Sequence, residues 1–246
     1  MRLRLLGCAC LIFTFIAVQE NTTAAQGQQA HTLTVTSDNQ LILVSLKAEG
    51  ASLSAIAADL EKRLRARVFL GPTLQKETIS VSFSDSLLEP ALMALAPRIF
   101  VDYEIRQNAP AVPLGIYLLD FSDPTPASDA VVRGTSQGVV IEGNTEDVAK
   151  TPKEDPLLIT GDKNFLSITS RKQPLALVAR AIGEVLGIPV EVNDDAGELV
   201  EVEIRNAPSE AAIPILSPKI RLYIRADINQ GGRTPIKLAI ESPTAR

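Results

Sequence analysis

Few residues in this chain are of types that do chemistry. Its 246 residues include two cysteines, Cys8 and Cys10, and one histidine, His31. A thiolate nucleophile would have to come from the cysteines, and a proton shuttle near neutral pH from the histidine. Without them the chemistry falls to carboxylates, Lys, Ser or Tyr. Each such candidate has a simpler structural reading. Asp194-Asp195 lies at a turn, where Asp is favoured because its side chain bonds nearby backbone amides. Glu201 and Glu203 share the wet face of an alternating strand, and a charged wet face needs no metal to explain it. Tyr103, Tyr117 and Tyr223 lie in strands, where packing accounts for them. Gly231-Gly232 and Gly134 match no phosphate-binding spacing. These residues point to no catalytic site, no cofactor and no metal, and they single out no partner-binding residue. The protein is expected not to be an enzyme.

The redox context follows from the N-terminus. Arg2 and Arg4 precede the apolar run Leu11-Ile12-Phe13-Thr14-Phe15-Ile16-Ala17-Val18, and small residues follow at Thr23-Ala24-Ala25. This reads as a signal peptide over residues 1–25, with Ala30 as the second cleavage choice. The run falls short of the roughly 20 apolar residues of a membrane span, so no span is expected after cleavage. Leu5-Leu6-Gly7-Cys8 resembles a lipoprotein box, but almost no apolar run precedes Cys8. Lipidation there and a retained N-terminal anchor are the lesser readings. Both cysteines leave with the signal, so the mature chain has no disulfide. Export without disulfides fits a Gram-negative periplasm. His31 then belongs to a ragged mature N-terminus and reads as a solvated tail residue.

Composition narrows the partners. With 46% hydrophobic and 22% charged residues the chain can bury real cores, and at 4% aromatic content with no Trp aliphatic side chains must fill them. A net charge of -5 argues against nucleic acid, whose phosphates call for clustered Lys and Arg.

The elements that must position any site come twice. Leu95-Ala96-Pro97-Arg98-Ile99 returns as Leu216-Ser217-Pro218-Lys219-Ile220. Ahead of the first stand Ile79-Ser80-Val81-Ser82-Phe83, Asp85, Glu89, Ala91 and Leu92. Ahead of the second, at one constant offset, stand Val200-Glu201-Val202-Glu203-Ile204, Asn206, Glu210, Ala212 and Ile213. A period this long indicates one module used twice. Leu53, Ile56, Ala57, Leu60 and Leu64 form a helical stripe, and Leu175, Val178, Ala179, Ile182 and Leu186 form the same one. Strands alternate at Leu41–Leu46, at 79–83 and 99–105, and again at 200–204, 222–224 and 236–240. Glu49-Gly50-Ala51-Ser52 reads as a break after the first of these, with Ser52 as an N-cap. Ser86-x-x-Glu89 reads as a capping box. Pro174 and Pro208 suit the starts of two helices, and Pro214 shortens the last one to about two turns.

The fold class is therefore α+β: two repeated β-α-β-β-α-β-β modules joined by a flexible linker. Module 1 spans 33–121 and module 2 spans 157–242. Residues 122–156 are rich in Ser, Pro, Asp, Thr and Gly, with Gly138-Val139-Val140-Ile141 the one candidate strand, and read as the linker.

Each module resembles the short N-terminal domain shared by secretins and TonB-dependent receptors, the STN-like domain, and the related terminal domain of membrane-spanning sigma regulators. The closest local matches are Gln173-Pro174-Leu175 and Ala207-Pro208-Ser209-Glu210-Ala211-Ala212. The resemblance covers Leu43–Leu119 and Phe165–Ile240. Where that family has a Gly-rich turn after the second helix, this chain has Pro97-Arg98 and Pro218-Lys219. The resemblance implies docking on a protein partner in the cell envelope. The expected function is a periplasmic, non-enzymatic interaction protein, an accessory of a secretion, pilus or envelope-signalling assembly. A small-molecule or cell-wall-glycan binding module is the alternative. Partner binding is expected at open sheet edges, through the strands at 33–36, 114–119 and 236–240.

Overall fold

The computed structural model describes residues 31–38, 41–127, 157–193 and 197–241, and its class is mixed α+β. The N-terminal half runs β1 (Thr32–Asp38), β2 (Leu41–Ser52), α1 (Leu53–Leu64), β3 (Arg67–Leu70), a 3-10 turn (Leu74–Lys76), β4 (Thr78–Leu87), α2 (Leu88–Met93), β5 (Arg98–Ile105) and β6 (Val112–Leu119). The C-terminal half runs β7 (Leu158–Gly161), β8 (Phe165–Pro174), α3 (Leu175–Leu186), β9 (Val190–Val192), β10 (Leu199–Pro208), α4 (Ser209–Ile215), β11 (Ile220–Asp227) and β12 (Gly232–Ile240).

Periodicity explains the long helices. In α1 the stripe Leu53, Ile56, Ala57 and Leu60 is buried, and in α3 Leu175, Val178, Ala179, Ile182 and Leu186 are. Each helix ends on a left-handed residue, Arg65 at φ 55° and Gly187 at φ 65°, which lets the chain turn back without a further helical bond. Pro214 lies inside α4, a helix of seven residues, as expected of a ring that removes one helix bond.

Two three-stranded sheets are ordered β1-β2-β4 and β10-β8-β7. The third sheet has six strands, β3-β6-β5-β11-β12-β9, and draws three from each half. Its hairpins β5–β6 and β11–β12 are antiparallel, while β3 and β9 join its two ends in parallel. The halves meet where β5 pairs with β11, antiparallel, with Tyr103 opposite Ile224 at mid-register. One aliphatic core runs through both halves on the helix side of this sheet and includes Ile99, Val101, Ile116, Leu222, Ile224 and Leu238.

Fine details recur between the halves. Asp85 (φ 49°) and Asn206 (φ 45°) are both left-handed. The Asp85 amide donates to Ser45 Oγ at 2.8 Å, and the Asn206 amide to Ser167 Oγ at 2.9 Å. Each large hairpin has a register shift at the same place, between Asp102 and Tyr103 in one and between Tyr223 and Ile224 in the other.

Several sequence expectations are corrected. Glu49-Gly50-Ala51-Ser52 does not end the strand; β2 continues to Ser52 with a register shift between Ala48 and Ala51 and Gly50 at φ 59°. A bulge absorbs the glycine because the flanking residues still bury their side chains. Ser52 makes no side-chain cap bond; the Leu53 amide donates instead to the Glu77 carbonyl at 2.9 Å. Ser86 lies in β4 rather than at a helix cap. Pro174 and Pro208 end strands, one residue before their helices.

Residues 122–127 of the stretch assigned as linker are tied down. Asp123 is buried, and its carboxylate accepts from the Asp120 amide at 2.8 Å and from Thr73 Oγ1 at 3.2 Å. A Cβ at Gly71 would collide with that carboxylate. The candidate strand at 138–141 lies outside the described residues, as do residues 1–25, expected to be a signal peptide, and Gly134.

Candidate functional site

The six-stranded sheet places charge where strands are covered on both faces. Along β5, residues 99–104 are all buried, and β11 is buried from Ile220 to Ala226. The side chains facing away from the main core include Asp102, Glu104, Arg221, Arg225 and Lys237, each no more than 8% exposed. Buried charge is costly unless paired and hydrogen-bonded, so their partners decide what they can do.

Arg225 and Asp102 form a two-pronged pair across the junction of the halves. Nε donates to Oδ1 at 2.7 Å and Nη2 to Oδ2 at 2.8 Å. Arg225 Nη1 donates to the Pro126 and Ala127 carbonyls at 2.7 and 2.8 Å. Tyr117 donates its hydroxyl to Asp102 Oδ2 at 3.0 Å, while the guanidinium lies 4.9 Å over its ring. Phe69 stacks on the same ring with centroids 4.9 Å apart. Burial, and then the Asp102 charge, push the Tyr117 hydroxyl well above its ordinary range. A carboxylate with two guanidinium bonds and a phenol bond is held in place.

Farther along the junction, Glu104 pairs with Arg106 and lies 3.4 Å from Arg221 Nε. That contact is an ion pair without hydrogen-bond geometry, since Arg221 Nε has no hydrogen-bond acceptor. Arg221 Nη1 donates to the Pro218 and Ile220 carbonyls. Lys237 pairs with Glu191 and lies 5.3 Å over the Tyr223 ring.

On the opposite side, Arg233 bridges the halves. It lies 3.0 Å from Glu210 at the start of α4 and 3.5 Å from Glu89 at the start of α2. Tyr103 also donates its hydroxyl to Glu89 at 3.0 Å. The three tyrosines lie in strands and are buried, as their packing reading expects. The charged network around them is not among the expectations. Asp102 and Glu104 alternate along one strand and Arg221 and Arg225 share one side of its counterpart, a pattern that in sequence fits a wet face equally well.

Other singled-out residues do not converge. His31 is no solvated tail residue; its Nε2 lies 3.2 Å from Asp59 of α1 and its side chain is 13% exposed. Glu201 and Glu203 are exposed on β10, with Glu203 paired to Arg205. Asp194-Asp195 lies outside the described residues, and Gly231 makes the turn before β12 at φ 71°. Among the described residues no group of three or more His, Cys, Asp and Glu is placed to hold a metal ion. Among them, too, no helix is long and apolar enough to cross a membrane.

The sheet edges differ from those expected. Residues 33–36 belong to β1, an edge strand, as expected. Residues 114–119 do not form an edge, because β6 is flanked by β3 and β5, and 236–240 do not, because β12 is flanked by β11 and β9. Short parallel strands cap both hairpins, a pairing that residue alternation does not reveal. The long edges among the described residues are β4 and β10, ten residues each.

These two edges carry different wet faces. β10 shows Glu201, Glu203 and Arg205, whereas β4 shows Ser80, Ser82 and Ser84 at the matching positions. Charged side chains are a common means of blunting an edge against added strands, and β4 lacks them there. Beneath its serines, Ile79, Val81 and Phe83 are only partly buried. An open depression of about 480 Å³ lies on this sheet, lined by Thr32, Thr34, Ser45, Lys47, Ser82, Phe83 and others. No protein-family model, no curated protein and no solved structure matches this chain.

Proposed function

We propose that the protein is a periplasmic, non-enzymatic interaction protein made of two STN-like modules, 33–121 and 157–242. In this reading residues 1–25 are the signal peptide, and the linker lies within 122–156, after the anchored residues 122–127. The recurring element order, the paired left-handed residues Asp85 and Asn206, and the matched register shifts support a duplicated module. The partner is a protein of the cell envelope, in keeping with the resemblance.

The observation that carries the docking mode is the run of Ser80, Ser82 and Ser84 on the β4 edge where the β10 edge has Glu201, Glu203 and Arg205. An added strand would gain backbone hydrogen bonds from β4 and cover Ile79, Val81 and Phe83. The test copies β10 chemistry onto β4. Ser82→Glu/Ser84→Arg changes two exposed side chains and leaves Ser80, which accepts from the Gly50 amide, untouched. A partner captured from the envelope by the wild type should be lost with this variant at unchanged thermal stability. New amide protection should also appear along β4 in the complex. Equal capture by both proteins removes the reading.

The hydroxyl-lined depression favours the alternative, a small-molecule or glycan site. Titration with soluble cell-wall fragments, read as NMR shifts at Thr34, Ser45 and Ser82, distinguishes it from strand addition.

A further inference from the structure

Charge is divided unequally between the two strands at the junction of the halves. At the offset that places Leu95 on Leu216, Asp102 falls on Tyr223 and Glu104 on Arg225. β5 thus brings Asp and Glu to the junction, and β11 brings Tyr and Arg. The pairing itself is symmetric under exchange of the strands. Leu222 opposes Ile105 as Ala226 opposes Val101, and Tyr223 opposes Glu104 as Arg225 opposes Asp102. Tyr103 and Ile224, matching positions, oppose each other at its centre.

A strand that pairs this way with an unlike copy has the backbone geometry to pair with a like one. In a β5–β5 pair of the same register, Asp102 of each strand would oppose Glu104 of the other. Directly opposed like charges destabilise a sheet, and these positions are buried. The two copies of Glu89 would also approach without Arg233, which only the C-terminal half supplies. In a β11–β11 pair, Arg225 would oppose Tyr223 and lose both bonds to Asp102. Only the mixed pair gives the Arg225 guanidinium a carboxylate.

We infer that Asp102 and Arg225 are specificity determinants that make each half pair with the other half and reject a second copy of itself. The symmetric backbone supplies the surface, and the charges select between like and unlike partners. This is selection by building a penalty into the wrong complex as well as a bond into the right one.

The experiment uses the full chain with a protease site inserted within residues 128–156, cleaved after folding and followed by native mass spectrometry. Cleaved wild type should remain one mixed 1:1 species, without dimers of either fragment. Arg225→Glu should raise the fragment concentration at which the complex falls apart at least about tenfold. Should that variant fail to fold, Asp102→Asn/Arg225→Met decides, since it removes both charges. It should keep the mixed complex and add dimers of the C-terminal fragment. Like dimers as abundant as the mixed species in the wild type would overturn the inference. So would a cleaved Arg225→Glu complex as tight as the wild type, or a double variant that stays wholly mixed.

Discussion

Tyr103, Tyr117 and Tyr223, the chain's three tyrosines, are all buried, and burial is the first cause raising each hydroxyl above its ordinary range. An unfolded tyrosine ionises near pH 10. Above that pH the unfolded chain loses protons that the folded chain keeps, so stability present below about pH 10 falls as pH rises. Alkaline titration at 295 nm should show no phenolate until the protein unfolds, and then all three should ionise in one step. Gradual ionisation near pH 10 in a protein that keeps its native circular dichroism would contradict this burial. Asp102 and Arg225 belong to the same scale. Arg225→Ala leaves a buried carboxylate with only a phenol partner, at a cost of about 3–5 kcal/mol. Asp102→Asn/Arg225→Met removes both charges and should cost less than half of that, because no buried ion is left alone. Urea midpoints of the two proteins check the ordering.

At the level of elements, β4 and β10 are matching strands with different edges. If charge is what keeps β10 from accepting a strand, removing it should open that edge. Glu201→Ser/Glu203→Ser/Arg205→Ser should give an apparent mass that rises with concentration in sedimentation, whereas Ser82→Glu/Ser84→Arg should not. The loss of the exposed Glu203–Arg205 pair is worth little in itself. A triple variant that remains at one mass throughout would show that something other than charge protects β10.

Across the whole molecule, the six-stranded sheet makes the halves parts of one structure. The β5–β11 register, the Asp102–Arg225 pair and the Arg233 bridge all cross between them. Asn229 Oδ1 also accepts from the Ile99 amide at 2.8 Å, and the Ile228 amide donates to the Ile99 carbonyl. Denaturant unfolding followed by far-ultraviolet circular dichroism and by tyrosine fluorescence should give coincident transitions. Two separated transitions would mean that the shared sheet contributes little to cooperativity.

How much of this was legible beforehand depended on range. Local patterns by themselves determined the α+β class, the buried stripes of α1 and α3, the alternating strands and the short α4, because those follow from residue periods of 3.6 and 2 and from proline geometry. The repetition at one offset was also plain in the residues. Tertiary structure alone decided which strands became edges, because the short parallel strands β3 and β9 cover β6 and β12 and leave no mark on those strands' sequences. It alone decided that Asp102, Glu104, Arg221 and Arg225 would be buried, since charged residues on an alternating strand are expected to face water. Their burial arises where one half adds its sheet to the other, a contact between residues more than a hundred positions apart. Periodicity registers neighbours along the chain; the partner that a strand's outer edge meets is settled only by packing.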